Sequence, residues 1–144
     1  MATLHDLLAL KGHEVIAVRP ADSVLKAANL MNERNIGGVV VLVADHLVGI
    51  FTERDVLRRV VAQGRDPATT PVAEVMTKSV ITCPPELSID DCAALMTTRA
   101  VRHLPVQDGT GLTGVVTIRD LLAHKVSEQQ ATLEQMNQYL YDLR

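Results

Sequence analysis

The apolar and polar residues of the first half of the chain alternate in an order that predicts both strands and helices. Residues 15–18 are mostly apolar and predict a short strand, and the apolar residues of 24–31 then recur at i, i+3, i+4 and i+7, which is one face of a helix. A β-branched run at 39–43 and an apolar run at 47–51 predict two further strands, and residues 53–62 predict a second helix. The first half therefore predicts a β-α-β-β-α unit.

The second half of the chain repeats this unit. Residues 80–122 align with residues 15–57 without a gap, at a constant offset of 65 positions (80 − 15). The identical pairs include Pro20 and Pro85, Ser23 and Ser88, Met31 and Met96, Gly49 and Gly114, Thr52 and Thr117, and Asp55 and Asp120. An ungapped match of this length is hard to obtain by chance, and it is the strongest signal in the sequence. We therefore expect the same element order in the second half, from a first strand near Ile81 to a closing helix over 118–126.

The two copies are predicted to fold together. One copy has too few residues to cover its own apolar sheet, whereas two copies packed face to face about a pseudo-twofold axis bury it. The polar, turn-rich residues 63–71 predict a linker, followed by a short lead-in helix at 72–76 whose counterpart before the first copy is 4–10. The predicted fold class is α/β (α+β), made of two βαββα repeats. The predicted domains are residues 1–71 for the first repeat with its lead-in and linker, residues 72–126 for the second repeat, and residues 127–144 for a C-terminal amphipathic helix.

The tail from Ser127 has an amphipathic pattern of its own. Its apolar residues recur at i, i+3, i+7 and i+10, namely Leu133, Met136, Leu140 and Leu143. This spacing is typical of a helix with one apolar seam. Two roles are open, packing on its own domain or contact in a dimer, because the seam is shorter than the three or four heptads that decide for a coiled coil.

Composition and charge exclude several classes of partner. The formal net charge is −3, Lys and Arg form no basic stripe, and the chain has one Phe, two Tyr and no Trp, so binding of nucleic acid is not predicted.

The longest apolar run, 39–44, is too short to cross a bilayer, and the N-terminus carries Asp6 where a signal peptide has positive charge. Cys83 and Cys92 form no CxxC pair and are interpreted as buried small hydrophobes. These features predict a cytoplasmic protein without a membrane segment.

One short motif occupies the same place in both copies. It covers residues 49–55 (Gly-Ile-Phe-Thr-Glu-Arg-Asp) and residues 114–120 (Gly-Val-Val-Thr-Ile-Arg-Asp). Thr-x-x-Asp before an apolar helix is a capping box, which needs no ligand. The same arrangement also suits a nucleotide, because the glycine permits close approach, the helix N-terminus attracts phosphate, and an early Asp accepts hydrogen bonds from a ribose diol. Both interpretations are open on the motif alone.

Two copies of this motif, each preceded by strand, helix and strand, resemble the CBS domain, the regulatory module named after cystathionine β-synthase. The stretch 102–106 (Arg-His-Leu-Pro-Val) adds to the resemblance, which extends from about Val15 to Val126. The resemblance implies that two repeats form one module with two clefts. It also implies that the clefts bind AMP, ADP, ATP, S-adenosylmethionine or NAD, and that two modules pair into a flat dimer.

The resemblance implies a role for each matching residue. Asp55 and Asp120 are expected to hold ribose hydroxyls, and Thr52 and Thr117 are expected to bond the ribose or the α-phosphate. The expected lining of the adenine slot is Ile50 and Val115, with backbone groups near Ile16 and Ile81 at the edge of the base.

The two clefts are expected to differ. Arg102 and His103 are expected to face phosphates in the second cleft, whereas the first copy has Gly37 and Gly38 in their place. The second cleft is therefore the better candidate for a phosphorylated ligand, and the first is expected to be empty, weaker, or shaped for something larger.

The role of four arginines is left open by the sequence. Arg54 and Arg119 are expected either to reach phosphate or to serve as solvated or dimer-pairing helix residues. Arg58 and Arg59 compensate for the missing basic pair of the first cleft only if their helix faces that cleft.

The sequence predicts a sensor rather than an enzyme. It contains no P-loop and no convincing nucleophile and base, and its five His residues lack the spacing of metal ligands, so no catalytic cofactor or metal is predicted. The predicted function is an adenine-nucleotide-binding regulatory module, a homodimer that signals to an unidentified protein in trans, because repeats, linker and tail account for the whole chain. The alternative is a structural dimerisation scaffold whose Thr-x-x-Asp motifs only cap helices.

Overall fold

The computed structural model describes residues 1–142, and its element order follows the internal repeat. The first repeat contains α1 (Leu4–Lys11), β1 (Ala17–Val18), α2 (Val24–Arg34), β2 (Gly38–Val43), β3 (His46–Thr52) and α3 (Glu53–Asp55), which continues as a π-helix (Val56–Val61). The second repeat contains a 3-10 turn (Val72–Glu74), α4 (Ile89–Arg99), β4 (His103–Asp108), β5 (Gly111–Thr117) and α5 (Ile118–Asp142). The predicted mixed α/β class is confirmed. No helix within residues 1–142 is long and apolar enough to cross a membrane.

Each repeat is built on an antiparallel strand pair with the same register. β2 pairs with β3 so that Val40 lies opposite Ile50, and β4 pairs with β5 so that Pro105 lies opposite Val115. Both pairs also change register one residue after this position, between Val41 and Leu42 in the first repeat. The equivalence at an offset of 65 residues therefore extends from the sequence to the hydrogen-bond ladder.

The first strand of the second repeat is missing, which corrects the expectation of a strand near Ile81. In the first repeat, β1 lies parallel to β2, and the Val40 N–H donates to the carbonyl of Ile16 at 3.2 Å. The equivalent position of the second repeat is Pro105, which has no N–H to donate. Only a single-residue bridge between Cys83 and Val106 remains.

The two lead-in segments cross over, so that each one completes the core of the other repeat. α1 buries Leu4, Leu7 and Leu8 in the core of the second repeat. Val72 and Val75, from the turn after the linker, are buried in the core of the first repeat. Because each core includes apolar residues from the lead-in segment of the other repeat, the two repeats fold as one unit.

The helix ends follow the capping residues that the sequence contains. The Ser23 hydroxyl accepts from the N–H of Lys26 at 3.1 Å and the Ser88 hydroxyl accepts from the N–H of Asp91 at 3.0 Å, so the two equivalent serines are the N-caps of α2 and α4. Each such cap stabilises its helix by about 1 kcal/mol.

The two cysteines are buried, as their interpretation as small hydrophobes requires. Cys83 and Cys92 are free thiols in the core of the second repeat. Burial, together with the neighbouring Cys83, raises the pKa of the Cys92 thiol to about 12. Since only the thiolate reacts readily, this cysteine is chemically inert at neutral pH.

The C-terminal helix is not a separate element, which corrects the expectation of a helix that begins at Ser127. α5 runs without a break from Ile118 to Asp142, so the predicted boundary between 126 and 127 falls inside it. Leu121 is buried, whereas the apolar seam is exposed and does not pack on its own domain. The exposed seam residues are Leu133, Met136 and Leu140, and Leu122 and Val126 are exposed earlier on the same helix. The predicted seam position Leu143 lies outside the described residues.

Candidate functional site

A cavity of about 710 Å³ opens between the two repeats. It is lined by strands of both repeats and by the first turn of α5. The predicted site residues that line it are Ile16, Ile50, Arg102, His103, Val115, Thr117, Arg119 and Asp120. The predicted site residues Thr52, Arg54, Asp55 and Ile81 do not line it. The structure therefore gathers the threonine and aspartate of the second motif, and not those of the first, around one open space.

The carboxylate of Asp120 lies at the N-terminus of α5 and faces this cavity. Its Oδ2 accepts a hydrogen bond from the N–H of Thr117 at 2.8 Å, and the Thr117 hydroxyl accepts one from the N–H of Asp120 at 3.2 Å. This is the expected capping box. Among residues 1–142, Oδ1 of Asp120 has no hydrogen-bond partner. The cap therefore leaves one carboxylate oxygen free to accept from a ligand.

The backbone of Val115 presents to the same cavity an edge that no other strand covers. Ile50, its equivalent in the first repeat, pairs instead with Thr77: the Ile50 N–H donates to the Thr77 carbonyl at 3.0 Å and the Thr77 N–H donates back at 2.9 Å. Val115 lies opposite Pro105 at the same ladder position, so its backbone N–H and carbonyl also point away from the neighbouring strand. No segment of residues 1–142 forms a bridge there. An open strand edge of this kind can recognise a ligand through one donor and one acceptor.

Lys11 is a residue of this site that sequence reasoning missed. Its Nζ lies 2.5 Å from Oδ2 of Asp120 and 2.5 Å from the carbonyl oxygen of Val115. Position 11 is equivalent to Met76 (76 − 65), but only the structure shows that the segment of Met76 covers the same edge in the first repeat. Glu14 and Glu53 also line the cavity and were not predicted.

The aspartate of the first repeat is closed off. Asp55 is 8% exposed, and its Oδ2 accepts from the N–H of Thr52 at 2.9 Å. Nε of Arg59 lies 3.5 Å from Oδ1 of Asp55, while Nη1 donates to the carbonyl oxygens of Val75 and Met76 at 3.1 and 2.9 Å. Arg59 therefore fills the space beside Asp55, so it does not supply the missing basic group of an open cleft.

The two motif arginines have different surroundings. Nη1 of Arg54 donates to the carbonyl of Ala100, the left-handed residue that ends α4, at 3.3 Å. Arg119 is exposed at the cavity, and its side chain has no hydrogen bond or ion pair with the rest of residues 1–142. Arg54 thus has a structural contact, whereas the guanidinium of Arg119 is available to an anion.

His103 forms part of the cavity wall and is held in its neutral form. Burial is the main cause that lowers the pKa of its imidazole below the usual 6.5, and the nearby cations Lys11 and Arg102 lower it further. The carboxylates of Glu53 and Asp120 act in the opposite direction. At neutral pH the ring can therefore both donate and accept a hydrogen bond.

Comparison with known proteins assigns both repeats to one domain family. A model of the CBS domain family matches residues 3–62 and again residues 72–127. The CBS domain-containing protein YhcV of Bacillus subtilis is 36% identical over 118 residues, which are 82% of this chain and 84% of YhcV.

Solved structures of CBS proteins superpose on most of the chain. A protein with CBS domains from Burkholderia ambifaria has a TM-score of 0.85 at 40% identity, covering 89% of this chain and 96% of that one. The CBS domain pair of protein MJ0100, in complex with 5′-methylthioadenosine and S-adenosyl-L-methionine, has a TM-score of 0.79 at 25% identity, covering 89% of this chain and 98% of that one. Two matched repeats over most of the chain, on a shared fold, establish that this protein belongs to the CBS domain family and carries one CBS domain pair.

Proposed function

We propose that this protein is a regulatory sensor that binds one adenine nucleotide in the cavity at Asp120. One observation carries the proposal: the free carboxylate oxygen of Asp120 and the open backbone edge of Val115 line the same 710 Å³ cavity. The carboxylate suits the two hydroxyls of a ribose, and the backbone donor and acceptor suit the edge of an adenine.

The remaining lining residues suit the other parts of a nucleotide. Ile16, Ile50 and the side chain of Val115 supply aliphatic walls for the base. The exposed guanidinium groups of Arg102 and Arg119 supply positive charge for phosphate, together with the N-terminus of α5. Without an aromatic clamp we expect micromolar rather than nanomolar affinity.

The ligand class follows from the adenosyl group. AMP is the simplest candidate, and ADP, ATP, NAD and S-adenosylmethionine share the adenosine that these contacts recognise. The complex of the MJ0100 domain pair with 5′-methylthioadenosine and S-adenosyl-L-methionine supports an adenosyl ligand for a CBS pair. The closed surroundings of Asp55 support a single open site rather than two equal ones.

The output of the sensor is proposed to be a change in a protein partner in trans. A ligand shifts a conformational equilibrium only by its difference in affinity for the two states. The cavity lies between the repeats and is lined by both, so a bound nucleotide bridges them. We expect this bridging to favour one relative arrangement of the repeats, which the partner recognises.

We also propose a homodimer formed through the exposed apolar faces of the last helix of each repeat. Leu57 and Val61 of the first repeat are 61% and 63% exposed, and their equivalents Leu122 and Val126 (57 + 65 and 61 + 65) are 60% and 51% exposed. Isolated apolar residues on a surface are ordinary, but two matching pairs related by the internal repeat form a surface that favours a symmetric partner.

A ligand panel tests the sensor against the scaffold alternative. Thermal unfolding is measured with AMP, ADP, ATP, NAD and S-adenosylmethionine. A specific ligand at 100 times its dissociation constant adds about 2.7 kcal/mol to the free energy of unfolding, which raises Tm by several degrees. A rise with one or two adenine compounds supports the sensor. A flat panel at millimolar concentration contradicts it and leaves the scaffold, in which both Thr-x-x-Asp motifs only cap helices.

A further inference from the structure

Each motif aspartate forms an ion pair with a basic side chain of the protein, and the two basic side chains differ in their position in the chain and in their other contacts. Arg59 lies on the same helical segment as Asp55 and is anchored by two further carbonyl oxygens, those of Val75 and Met76. Lys11 reaches Asp120 from α1, a distant segment of the chain, and has one further contact, the carbonyl of Val115. Arg59 therefore has three acceptors, two of them backbone carbonyls, whereas Lys11 has two.

The position of the Lys11 ammonium coincides with the groups that a nucleotide needs. The ammonium contacts Oδ2 of Asp120 and the carbonyl oxygen of Val115, and both lie 2.5 Å from Nζ. The Val115 carbonyl is the acceptor proposed for the base, and Oδ2 is the second oxygen of the carboxylate proposed for the ribose diol. A bound nucleotide therefore has to displace this ammonium. The displaced ammonium loses a charge-assisted hydrogen bond, which a new anionic partner can replace.

We propose that Lys11 determines ligand specificity: its ammonium occupies the ribose site of the empty cavity and transfers to a phosphate of the incoming ligand. The inference rests on the proposed adenine-nucleotide site and deepens it. A phosphorylated ligand supplies a new partner for the displaced ammonium, whereas a neutral nucleoside does not. The site therefore selects phosphorylated adenine nucleotides over unphosphorylated adenosyl compounds.

The local structure lets the side chain move while the backbone stays in place. α1 is anchored by Leu4, Leu7 and Leu8, all buried in the core of the second repeat. Lys11 is the last residue of this helix, and the Gly12 that follows has a φ of 106° and open space around it. Its four-carbon stem carries the charge on rotatable bonds, so the transfer requires only a rotamer change.

The charges around the cavity favour an anionic ligand once Lys11 is displaced. Arg102 and Arg119 line it with no side-chain partner in residues 1–142. The carboxylate of Glu14 is already paired with Arg34 at 2.9 Å. Glu53 is the remaining acid at the rim, beside His103. A ligand with a positive sulfonium, such as S-adenosylmethionine, would meet the displaced ammonium and both guanidinium groups, and is therefore disfavoured.

The test compares AMP with adenosine, which differ by the phosphate alone. Isothermal titration is carried out on the wild type and on Lys11→Met, which keeps the stem and removes the charge. We expect the variant to bind AMP more weakly and adenosine more tightly, so that the preference for AMP falls by about 10-fold or more, the loss of one charge-assisted bond. Lys26→Met is the matched control, since Lys26 on α2 pairs with Asp22 and neither residue lines the cavity.

Each outcome decides the inference. If Lys11→Met and a second variant, Lys11→Gln, keep the wild-type preference for AMP, or change both affinities by the same factor, Lys11 does not act through the phosphate and the inference is wrong. The proposed function survives that result, because the wild type still binds AMP. If the wild type binds none of adenosine, AMP, ADP, ATP, NAD and S-adenosylmethionine, the proposed function and the inference both fail. Thermal unfolding of each variant verifies that it is folded.

Discussion

The imidazole of His103 lies directly against Gly38. A β-carbon at Gly38 would stand 3.0 Å from Cδ2 and 3.1 Å from Nε2 of this ring. The glycine pair 37–38 and the pair Arg102-His103 occupy equivalent positions in the two repeats. At the pseudo-twofold axis, the glycines of the first repeat therefore leave the space that the imidazole of the second repeat occupies in the cavity wall.

This contact predicts a steric penalty at Gly38. Gly38→Ala is expected to push His103 out of place and to lower the free energy of unfolding by about 1–3 kcal/mol, the usual cost of overpacking. Urea denaturation measures the change. Gly109→Ala is the control, because nothing lies within 4 Å of a β-carbon there.

A double variant isolates the cause of that penalty. Adding His103→Ala to Gly38→Ala removes the ring that the new methyl group meets, so most of the lost stability is expected to return. Equal stability of Gly38→Ala and Gly109→Ala would contradict the packing account, and a double variant that stays as unstable as Gly38→Ala would place the penalty in the backbone instead.

The two motif aspartates are expected to differ in ligand binding. Asp120→Asn keeps an oxygen for the helix cap but removes the charge that a ribose diol contacts, so AMP affinity should fall by about 10- to 100-fold. Asp55→Asn is the matched control, because the same motif is closed off there by Arg59. Titration calorimetry compares the two, and equal losses of affinity would mean that the first cleft also binds ligand.

His103 makes stability depend on pH. Burial lowers the pKa of its imidazole in the folded protein below 6.5, so the unfolded chain binds more protons than the native one as pH falls through 6.5. The free energy of unfolding is therefore expected to be lower below about pH 6.5 than at pH 7.5, and to go on falling until the imidazole of the folded protein is itself protonated. Urea denaturation at pH 7.5 and 5.0 measures this loss for the wild type and for His103→Gln. An equally steep loss in the variant would assign the pH dependence to other groups.

The proposed dimer predicts a defined response to charge on α5. Leu122→Glu with Val126→Glu places two carboxylates on the matching apolar face and is expected to raise the dimer dissociation constant by about 10-fold or more. Ala131→Glu is the control, since residue 131 is exposed on α5 and lies outside the seam. Sedimentation velocity distinguishes monomer from dimer. A wild type that sediments as a monomer, or a double variant that sediments like the control, would contradict the proposed interface.

The duplicated architecture is predictable because its determinants are local. Helix periodicity, the N-caps Ser23 and Ser88 and the Thr-x-x-Asp boxes each act within a few residues, and the structure contains all of them. The offset of 65 residues then predicts the elements of the second repeat from those of the first. The exception is the counterpart of β1, which Pro105 prevents. The CBS resemblance rests on the same local motifs and is confirmed by the match to both repeats.

Which motif faces an open cavity was decided only by tertiary structure. Asp55 and Asp120 are equivalent in sequence, but the segment that crosses over to each repeat ends differently: one forms the Thr77 bridge on Ile50, and the other ends in Lys11 beside Val115. Lys11 is 109 residues from Asp120, and a contact between such distant positions leaves no periodic trace in the chain. The sequence by itself determined the elements and the motif pair, because those depend on neighbours along the chain. The choice of site depended on packing between the repeats, where a few side chains from distant segments close one cleft and leave the other open.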